Sequence, residues 1–296
     1  MTMQHRQQRT LRGEIETAGI GFLTGADVTL RFLPAPPDHG ISFQRVDCRG
    51  SAPIPARIEY AVPRERRTAI AAGGVAVEMI EHVMAALAGL QVDNCLVQLD
   101  APEPPGFDGS CRAMADCLLS VGFVEQEATR QKLVIENTVR AGSQRGGSEI
   151  IARSLARRGM AISYHLDYGQ HSPILPELLT LEITPETFVS ELAFARTFVL
   201  ESEVQALQAQ GYGRRTTAQD LLVFGPDGVI DNELRTPDEC VRHKILDCVG
   251  DFALLGCDVW GYFNAHRSGH QLNRDIVQRL QMAHPQACTG MKSKAA

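Results

Sequence analysis

The sequence predicts an α+β fold made of two similar halves. Short segments in which apolar and polar residues alternate, the pattern of half-buried strands, interleave with segments whose apolar residues recur every three or four positions, the pattern of amphipathic helices. The chain has 296 residues. It is therefore long enough for two domains, since single domains commonly have roughly 100–200 residues.

Two stretches of sequence support a duplication. HVMAALAGLQVDNCLVQLDA, which begins at His82, and HKILDCVGDFALLGCDVWGYFNA, which begins at His243, share one order of features. Each has a histidine near the start of a helix, a face rich in alanine and leucine, a glycine and then a strand, as two copies of one unit would have. We predict a pseudo-twofold arrangement in which one histidine from each half faces a shared cleft.

The first half opens with strands on both sides of a turn in ETAGIGFLTG, followed by strands at ISFQRV and NCLVQLD. TAIAAGGVAVEMI predicts a hairpin that turns at Gly73 and Gly74. One helix is predicted in IEHVMAALAGL, with Gly89 as its C-cap. A second helix is predicted in CRAMADCLLSVG, with Ser110 as its N-cap after the loop APEPPGFDGS.

The halves are predicted to join at the polar stretch EQEATRQ, residues 125–131, because hydrophobic periodicity lapses there. With the boundary near Thr129, the domains span 1–128 and 129–284, and a flexible tail spans 285–296. Strands are predicted in KLVIENTV, SEIIARSLA, MAISYHLDY, LLTLEI, LLVFG and DVWGYFNA. Helices are predicted from the cap at Thr184, in ESEVQALQAQG, in DECVRHKILDCVGDFALLG and in SGHQLNRDIVQRLQM.

Charge and composition exclude several classes of protein. A formal net charge of −6 does not attract polyanions, so nucleic acid is not an expected partner. No apolar run approaches the roughly 20 residues that cross a bilayer, and the N-terminus lacks the apolar segment of a signal peptide. We therefore expect a cytoplasmic protein without stable membrane insertion. The eight cysteines include no CxxC pair, which argues against a zinc knuckle.

Acidic and imidazole side chains occur together on two predicted helices. In VRHKILDCVGD, His243, Asp247 and Asp251 stand at i, i+4 and i+8 and so share one helix face. A histidine and a carboxylate one turn apart can bind a divalent ion, and a solvated polar face is the alternative. Glu81 and His82 are adjacent at the start of the other helix. This order suits a hydrolase whose carboxylate reaches a metal-bound water, and an exposed pair is the alternative.

A third fragment, HRSGHQLN, places His266 and His270 on a glycine-containing loop before a helix. An imidazole there could approach a cleft, although loop histidines are usually only solvated. HExxH does not occur, so a thermolysin-type metalloprotease is excluded, and the absence of GxSxG leaves a serine-hydrolase elbow unsupported. GIGFLTG lacks the spacing of a dinucleotide-binding loop and leads into a strand.

Together these fragments resemble the UDP-3-O-acyl-N-acetylglucosamine deacetylases of lipid A synthesis, from about Gln8 to Asn273. The segments that carry the resemblance stand in the family's order: QRTL, GIGFLTG, VEMIEHVMAALAGLQVDN, APEPPGFDGS, ARTF, VRHKILDCVGD and RSGHQLN. The fold that it implies has two similar α+β halves with their helices sandwiched between the sheets. The reaction that it implies is hydrolysis of the N-acetyl group of UDP-3-O-(3-hydroxyacyl)-N-acetylglucosamine, the committed step of lipid A biosynthesis.

The resemblance also implies a metal centre. His82, His243 and Asp247 would be the ligands of a zinc ion, with a fourth position open for water. Ferrous iron could replace zinc in the cell, because the same ligand set accepts other divalent ions. Glu81 would be the general base that takes a proton from the attacking water.

Further roles follow from the same resemblance. His270 would be the protonated general acid for the leaving amine, and Asp251 would favour its charged form. Thr197 and Lys244 would donate to the developing oxyanion. Three residues fall where the family contacts the sugar nucleotide: Phe198, Lys244 and Arg267.

Two departures from the family pattern bear on the substrate. Leu23 stands where many members have histidine, and GYGRRTTAQD, residues 211–220, replaces a Gly-Gly-Ser turn within the insertion at 198–225 that would form the acyl passage. The two arginines of this segment could instead serve the diphosphate. A hydrolase of the same fold acting on a different acylated amino sugar, and a non-catalytic sugar-nucleotide binding protein, are therefore the alternatives. Nothing in the sequence requires a partner subunit, so a monomer is expected.

Overall fold

The computed structural model describes residues 6–143 and 147–285, in which strands and helices alternate as an α+β fold. The predicted fold class is confirmed. In the first half the elements are β1 (Gln7–Leu11), β2 (Ile15–Ile20), β3 (Asp27–Pro34), β4 (Ile41–Arg45), β5 (Ile54–Pro55), β6 (Ala61–Val62), β7 (Ala69–Ala72), β8 (Val75–Val77), α1 (Glu81–Gly89), β9 (Cys95–Leu99), α2 (Arg112–Val121) and β10 (Phe123–Thr129).

The second half continues directly from β10. Its elements are β11 (Lys132–Val134), β12 (Val139–Ser143), β13 (Ser148–Arg153), β14 (Met160–Leu166), β15 (Glu177–Ile183), α3 (Pro185–Thr187), β16 (Phe198–Leu200), α4 (Glu201–Ala209), β17 (Leu222–Gly225), β18 (Gly228–Val229), α5 (Glu239–Phe252), β19 (Asp258–His266) and α6 (His270–Ala283). Among the described residues, no helix combines the length and the apolar character needed to span a membrane.

The main sheets of the two halves have the same strand order. The first sheet runs β2-β3-β9-β4-β5, and the second runs β12-β13-β19-β14-β15 with β11 added on β19. The orientations also agree: β9 is parallel to β4 and β19 is parallel to β14, while the other neighbours along each path are antiparallel. The halves are therefore similar in topology, as predicted from the sequence, and a duplication as its origin stays a prediction.

The helices of the two halves pack against each other. α1 packs against α5, α2 packs on β2 of the first sheet, and α5 and α6 pack on the second sheet. The contact between α1 and α5 depends on Gly250, where an added Cβ would lie 2.1 Å from the carbonyl oxygen of Glu81. Only glycine allows this close approach, which aligns the start of α1 with the middle of α5.

A partly buried ionic network also joins the halves. Arg6 pairs at 2.6 Å with Asp93, which follows α1, and at 2.6 Å with Asp258, the first residue of β19. Arg130 pairs with the same two carboxylates at 2.9 and 3.2 Å. Because each carboxylate has two guanidinium partners, the network compensates the charge of both where the two halves touch.

The predicted linker at residues 125–131 is wrong for most of its length. Phe123–Thr129 form β10, which pairs with β1 in a two-stranded ribbon. The stretch is polar because most of its side chains are partly or fully exposed, so hydrophobic periodicity lapses without loss of the strand. The proposed boundary near Thr129 stays a prediction, and residues 286–296 of the predicted tail lie outside the described residues.

Two predicted helix caps are shifted, and a third is confirmed. α1 includes Gly89 and is capped by Leu90. Glycine at position 89 instead makes room for Phe188, because a Cβ added there would lie 2.3 Å from the Phe188 ring. Cys111, not Ser110, is the N-cap of α2, although the Ser110 hydroxyl still accepts a hydrogen bond from the backbone N–H of Arg112 at 3.2 Å. Thr184 caps α3 as predicted.

Candidate active site

His82, His243 and Asp247 lie together at the contact between the halves, with one ligand atom of each within 4.8 Å of the others. His82 is the second residue of α1, while His243 and Asp247 stand one turn apart on α5. Asp247 Oδ1 is 3.4 Å from His243 Nε2 and 3.8 Å from His82 Nε2. The helix spacing read from the sequence therefore places two of these groups, and the packing of α1 on α5 adds the third.

This arrangement fits a divalent metal ion. A tetrahedral ion with bonds near 2.1 Å holds its ligand atoms roughly 3.4 Å apart, close to the separations found here. Burial lowers the pKa of His82 to about 3 and also lowers the pKa of His243. Both imidazoles are thus neutral at pH 7, as metal ligands must be. His243 Nδ1 lies 3.1 Å from the carbonyl oxygen of Ala195, which fixes the proton there and leaves Nε2 free for a metal.

Asp247 remains ionised in this buried position. Burial alone would raise its pKa, but the charges of Lys244 and of the His270 imidazolium hold the pKa below its usual range. Lys244 Nζ donates to Asp247 Oδ2 at 2.7 Å. Oδ1 is the oxygen that faces both histidines, so the two oxygens of this carboxylate have separate partners.

Glu81 directly precedes His82 and is held by the backbone. Its Oε2 accepts a hydrogen bond from the N–H of Thr68 at 3.0 Å, while Oε1 lies 4.0 Å from His270 Nε2. Burial raises the pKa of Glu81 to about 7, although the charge of His270 opposes the shift. A carboxyl group with this pKa can both accept and release a proton near neutral pH.

His270, the first residue of α6, lies beside the same cluster. Its Nδ1 is 2.8 Å from Asp251 Oδ2, and its Nε2 is 3.9 Å from Asp247 Oδ2. Burial alone would lower its pKa, but Asp251 and Asp247 raise the pKa of His270 to about 9. The imidazolium form therefore predominates at neutral pH, with the Nε2 proton directed toward the cluster.

Two residues of this network were not assigned from the sequence. Asn273 Nδ2 donates to Asp251 Oδ2 at 2.7 Å, and the Thr68 hydroxyl donates to Asp251 Oδ1. Asn273 is three residues after His270 on one helix, so the i+3 spacing could have identified it. Thr68 is 13 residues from Glu81 and 183 residues from Asp251 in the sequence, and no local pattern indicates its role.

The predicted substrate-contact residues lie around this cluster at different distances. The Phe198 ring is centred 6.0 Å from that of His243 and 5.8 Å from that of Tyr168. The backbone N–H of Thr197 donates to the carbonyl oxygen of Gly109 at 2.7 Å. Arg267 is exposed and has no ion-pair partner among the described residues.

His266 is not part of the cluster. It lies at the end of β19, where its ring is centred 4.7 Å from that of His165 on the neighbouring strand. Of the two histidines in HRSGHQLN, the structure therefore brings only His270 to the cluster of His82, His243 and Asp247.

The atypical segment 211–220 docks on the first half. Arg215 Nη1 donates to the carbonyl oxygen of Gly25 and pairs with Asp27, both at 3.0 Å. The N–H of Gly213 donates to the carbonyl oxygen of Leu23 at 3.2 Å. Arg215 thus has a carboxylate partner in the first half, and a role of the two arginines toward the diphosphate stays a prediction.

A buried pair of imidazoles with one carboxylate, next to a carboxyl group and an imidazolium, is typical of metal-dependent hydrolases. The sequence profile of the UDP-3-O-acyl N-acetylglycosamine deacetylase family matches residues 8–282. The chain belongs to this family.

Individual relatives agree with the family match. The UDP-3-O-acyl-N-acetylglucosamine deacetylase of Myxococcus xanthus is 39% identical over 274 residues, which cover 92% of this chain and 86% of the relative. That of Pseudomonas entomophila is 34% identical over 280 residues, covering 93% and 90%. The bifunctional LpxC/FabZ enzyme of Chlorobaculum tepidum is 37% identical over 307 residues, which cover 93% of this chain but only 64% of that longer protein.

Proposed function

We propose that the protein hydrolyses the N-acetyl group of UDP-3-O-(3-hydroxyacyl)-N-acetylglucosamine, the committed step of lipid A biosynthesis. The observation that carries the proposal is the convergence of His82 with His243 and Asp247, beside Glu81 and His270. An acetamide is a weak electrophile and its amine a poor leaving group, so its hydrolysis calls for both carbonyl polarisation and proton transfer. The names of the relatives supply the substrate.

His82, His243 and Asp247 are proposed to hold zinc, or ferrous iron in its place. When bound, such an ion would act as a Lewis acid toward the acetamide carbonyl and lower the pKa of water. Lys244 keeps Asp247 ionised, and Ala195 fixes the tautomer of His243. These two contacts keep Asp247 ionised and His243 Nε2 unprotonated, which are the states that bind a metal ion.

Glu81 and His270 are proposed to move the protons. Glu81 takes a proton from the attacking water through Oε1, because Thr68 occupies Oε2. His270 then donates its Nε2 proton to the leaving nitrogen, while Asp251 bonded at Nδ1 keeps the imidazole charged. Each such transfer typically contributes about 10²–10⁴-fold to the rate.

Four residues are proposed to bind the rest of the reacting substrate. Thr197 and Lys244 would donate to the developing oxyanion, and such donors contribute about 3 kcal/mol each. Phe198, whose ring stands next to that of His243, would contact the sugar nucleotide. Arg267 would bind its phosphate oxygens, because its exposed guanidinium has no carboxylate partner among the described residues.

The proposal is tested by acetate release from the substrate with the purified, metal-loaded protein. We expect turnover that a chelator abolishes and that Glu81→Gln lowers about 10²–10⁴-fold, with metal content retained. Glu59→Gln is the matched control, because Glu59 is an exposed carboxylate outside the cluster and its loss should leave turnover unchanged. No acetate from folded, metal-loaded protein would contradict the proposal.

A hydrolase for a different acylated amino sugar is the second candidate, favoured by Leu23 and the unusual contacts of residues 211–220. Turnover of substrates with and without the O-linked acyl chain separates the two candidates. A protein that binds the sugar nucleotide without releasing acetate would instead be a non-catalytic binder. We further propose that the protein is a cytoplasmic monomer with domains at 1–128 and 129–284 and a tail at 285–296. Light scattering can test the oligomeric state, and limited proteolysis can test the domain bounds.

A further inference from the structure

A separate cavity of about 350 Å³ lies between the halves, at the far ends of α1 and α5. Among the residues that line it, none belongs to the candidate active site. Along the helix axes, Ala88 is about 9 Å beyond His82, whereas the lining residues Met84 and Val249 are each about 3 Å beyond His82 and Asp247. Its volume is within the range of roughly 300–1,000 Å³ that small-molecule sites occupy.

Apolar side chains form slightly more than half of the lining of this cavity. Both halves contribute, and the apolar lining includes Ile41, Ala56, Met84, Ala88, Val249, Phe252, Met160, Ile183 and Trp260. Met84, Val249 and Phe252 are each only 2% exposed and form part of the continuous core. An apolar group that entered the cavity would therefore rest on well-packed side chains and leave water.

The rim of the cavity carries more cations than carboxylates. Five cations line it, Arg6, Arg57, Arg130, Lys132 and Arg158, together with three carboxylates, Asp93, Asp258 and Glu182. The rim is thus positive in a protein whose formal net charge is −6. Such local positive charge beside an apolar wall favours an anion that has an apolar part.

The carboxylates of the rim already have partners. Arg6 and Arg130 pair with Asp93 and Asp258 in the ionic network described above, and Glu182 pairs with Arg157 at 3.0 Å. Arg158, in contrast, is exposed and has no carboxylate partner in residues 6–143 and 147–285. Its guanidinium carbon lies 5.7 Å from the centre of the Trp260 ring, and Lys132 Nζ lies 4.1 Å from the same centre.

We propose that this cavity binds a small amphipathic anion, a carboxylate or phosphate monoester on an apolar tail. The anionic group would lie beside Trp260, between Lys132 and Arg158. The tail would extend over Ala88 and Met84 into the space between α1 and α5. Fatty-acid carboxylates and alkyl phosphates share this chemistry, and the experiment distinguishes them.

Trp260 is the single tryptophan of the chain, so its fluorescence reports directly on the cavity. We would titrate the whole, metal-loaded protein with octanoate, octyl phosphate and octanol. We expect a saturable change with one or both anions, and the tighter anion identifies the preferred head group. Octanol should bind at least about fivefold more weakly, because a charge-assisted contact contributes about 1 kcal/mol at a partly exposed site.

Two variants place the binding in the cavity. Ala88→Phe fills the space over the floor and should weaken binding at least about tenfold, while Arg158→Ala should weaken it about fivefold. Arg153→Ala is the matched control, because Arg153 also stacks on an aromatic ring, Tyr262, at 4.6 Å, but does not line the cavity. Circular dichroism checks that each variant is folded.

The outcomes that would overturn the proposal are distinct. No saturable change with either anion in the folded wild-type protein would refute it. Binding that a folded Ala88→Phe variant leaves unchanged would place the ligand elsewhere, for example at the metal. Octanol binding as tightly as both anions would refute the role of the charged rim.

Discussion

The two halves share one sheet topology but contribute very different chemistry. The first half supplies Glu81 and His82, both at the start of α1, and the remainder of that helix is apolar or glycine. The second half supplies five polar groups: His243, Lys244, Asp247, Asp251 and His270. The helix of the first half is therefore mostly apolar, whereas the helices of the second half hold most of the buried ionic network.

The physical reason for this difference is the cost of burying charge. An ionised carboxylate that leaves water loses several kcal/mol unless partners compensate it. In the second half every such group has a partner: Asp247 binds Lys244, and Asp251 binds His270, Asn273 and Thr68. The second half thus completes most of its network by itself, and the first half delivers Glu81, His82 and the Thr68 hydroxyl to it.

The largest effect is expected when either half loses the histidine that we propose as a metal ligand. His82→Ala and His243→Ala should each remove bound metal and lower acetate release by more than about 10²-fold, since even changes beside the ligands commonly cost 10–100-fold. Metal analysis of the purified variants measures this directly. His266→Ala is the control, because His266 lies outside the cluster. Full metal content in either ligand variant would mean that the halves do not share the site.

Asp251→Asn tests whether the second half tunes His270. Asp251 is the largest factor that raises the pKa of His270 to about 9 against the effect of burial. Without its charge the pKa should fall toward the ordinary value of about 6.5, so the protonated acid is lost at lower pH. We expect kcat to fall up to about 10²-fold and the alkaline limb of the pH–rate profile to move to lower pH. An unmoved alkaline limb with normal metal content would contradict this role.

Gly250→Ala tests the contact between the halves. The new Cβ would meet the carbonyl oxygen of Glu81, so α1 and α5 must separate. We expect a loss of about 1–3 kcal/mol in the free energy of unfolding, as in other overpacked cores, measured by urea denaturation. At Gly13 an added Cβ would make an ordinary contact at 3.6 Å. Equal stability of Gly250→Ala and Gly13→Ala would show that the approach is not tight.

The smallest effect concerns an ion pair across the halves, Asp108 with Arg235 at 2.6 Å. Burial raises the pKa of Asp108, but Arg235 and Ser110 outweigh it and lower the pKa below its usual value. The pair therefore stabilises the fold above the unfolded pKa of about 3.9 and loses this effect as the pH falls through the folded pKa. Both side chains are partly exposed, so Asp108→Asn should cost at most about 1 kcal/mol at pH 7.

Urea denaturation at neutral and at acidic pH measures this difference. The wild-type protein and Asp108→Asn should converge in stability as the acid limit is approached. A difference that stays constant with pH would assign the effect to the hydrogen bonds with Ser110 instead of the charge pair.

Local patterns in the sequence predicted most elements of the fold. The hairpin at Gly73 and Gly74 is confirmed, and both glycines adopt the positive φ that such a turn requires. The strand at 123–129 was missed, because a surface ribbon needs no apolar face and its pairing with β1 joins residues more than a hundred positions apart. Hydrophobic periodicity arises where one face of an element is buried, so an exposed strand shows little periodicity.

The sequence by itself determined which groups share a helix. The i+4 spacing places His243, Asp247 and Asp251 on one face of α5, and adjacency joins Glu81 to His82, because helix geometry is local. Only the tertiary structure decided that these sets meet, through the close approach at Gly250, and that Thr68 holds both Glu81 and Asp251. It also created the cavity beside Trp260. Such contacts depend on sheet register and helix packing, which link residues distant in sequence and leave no local pattern.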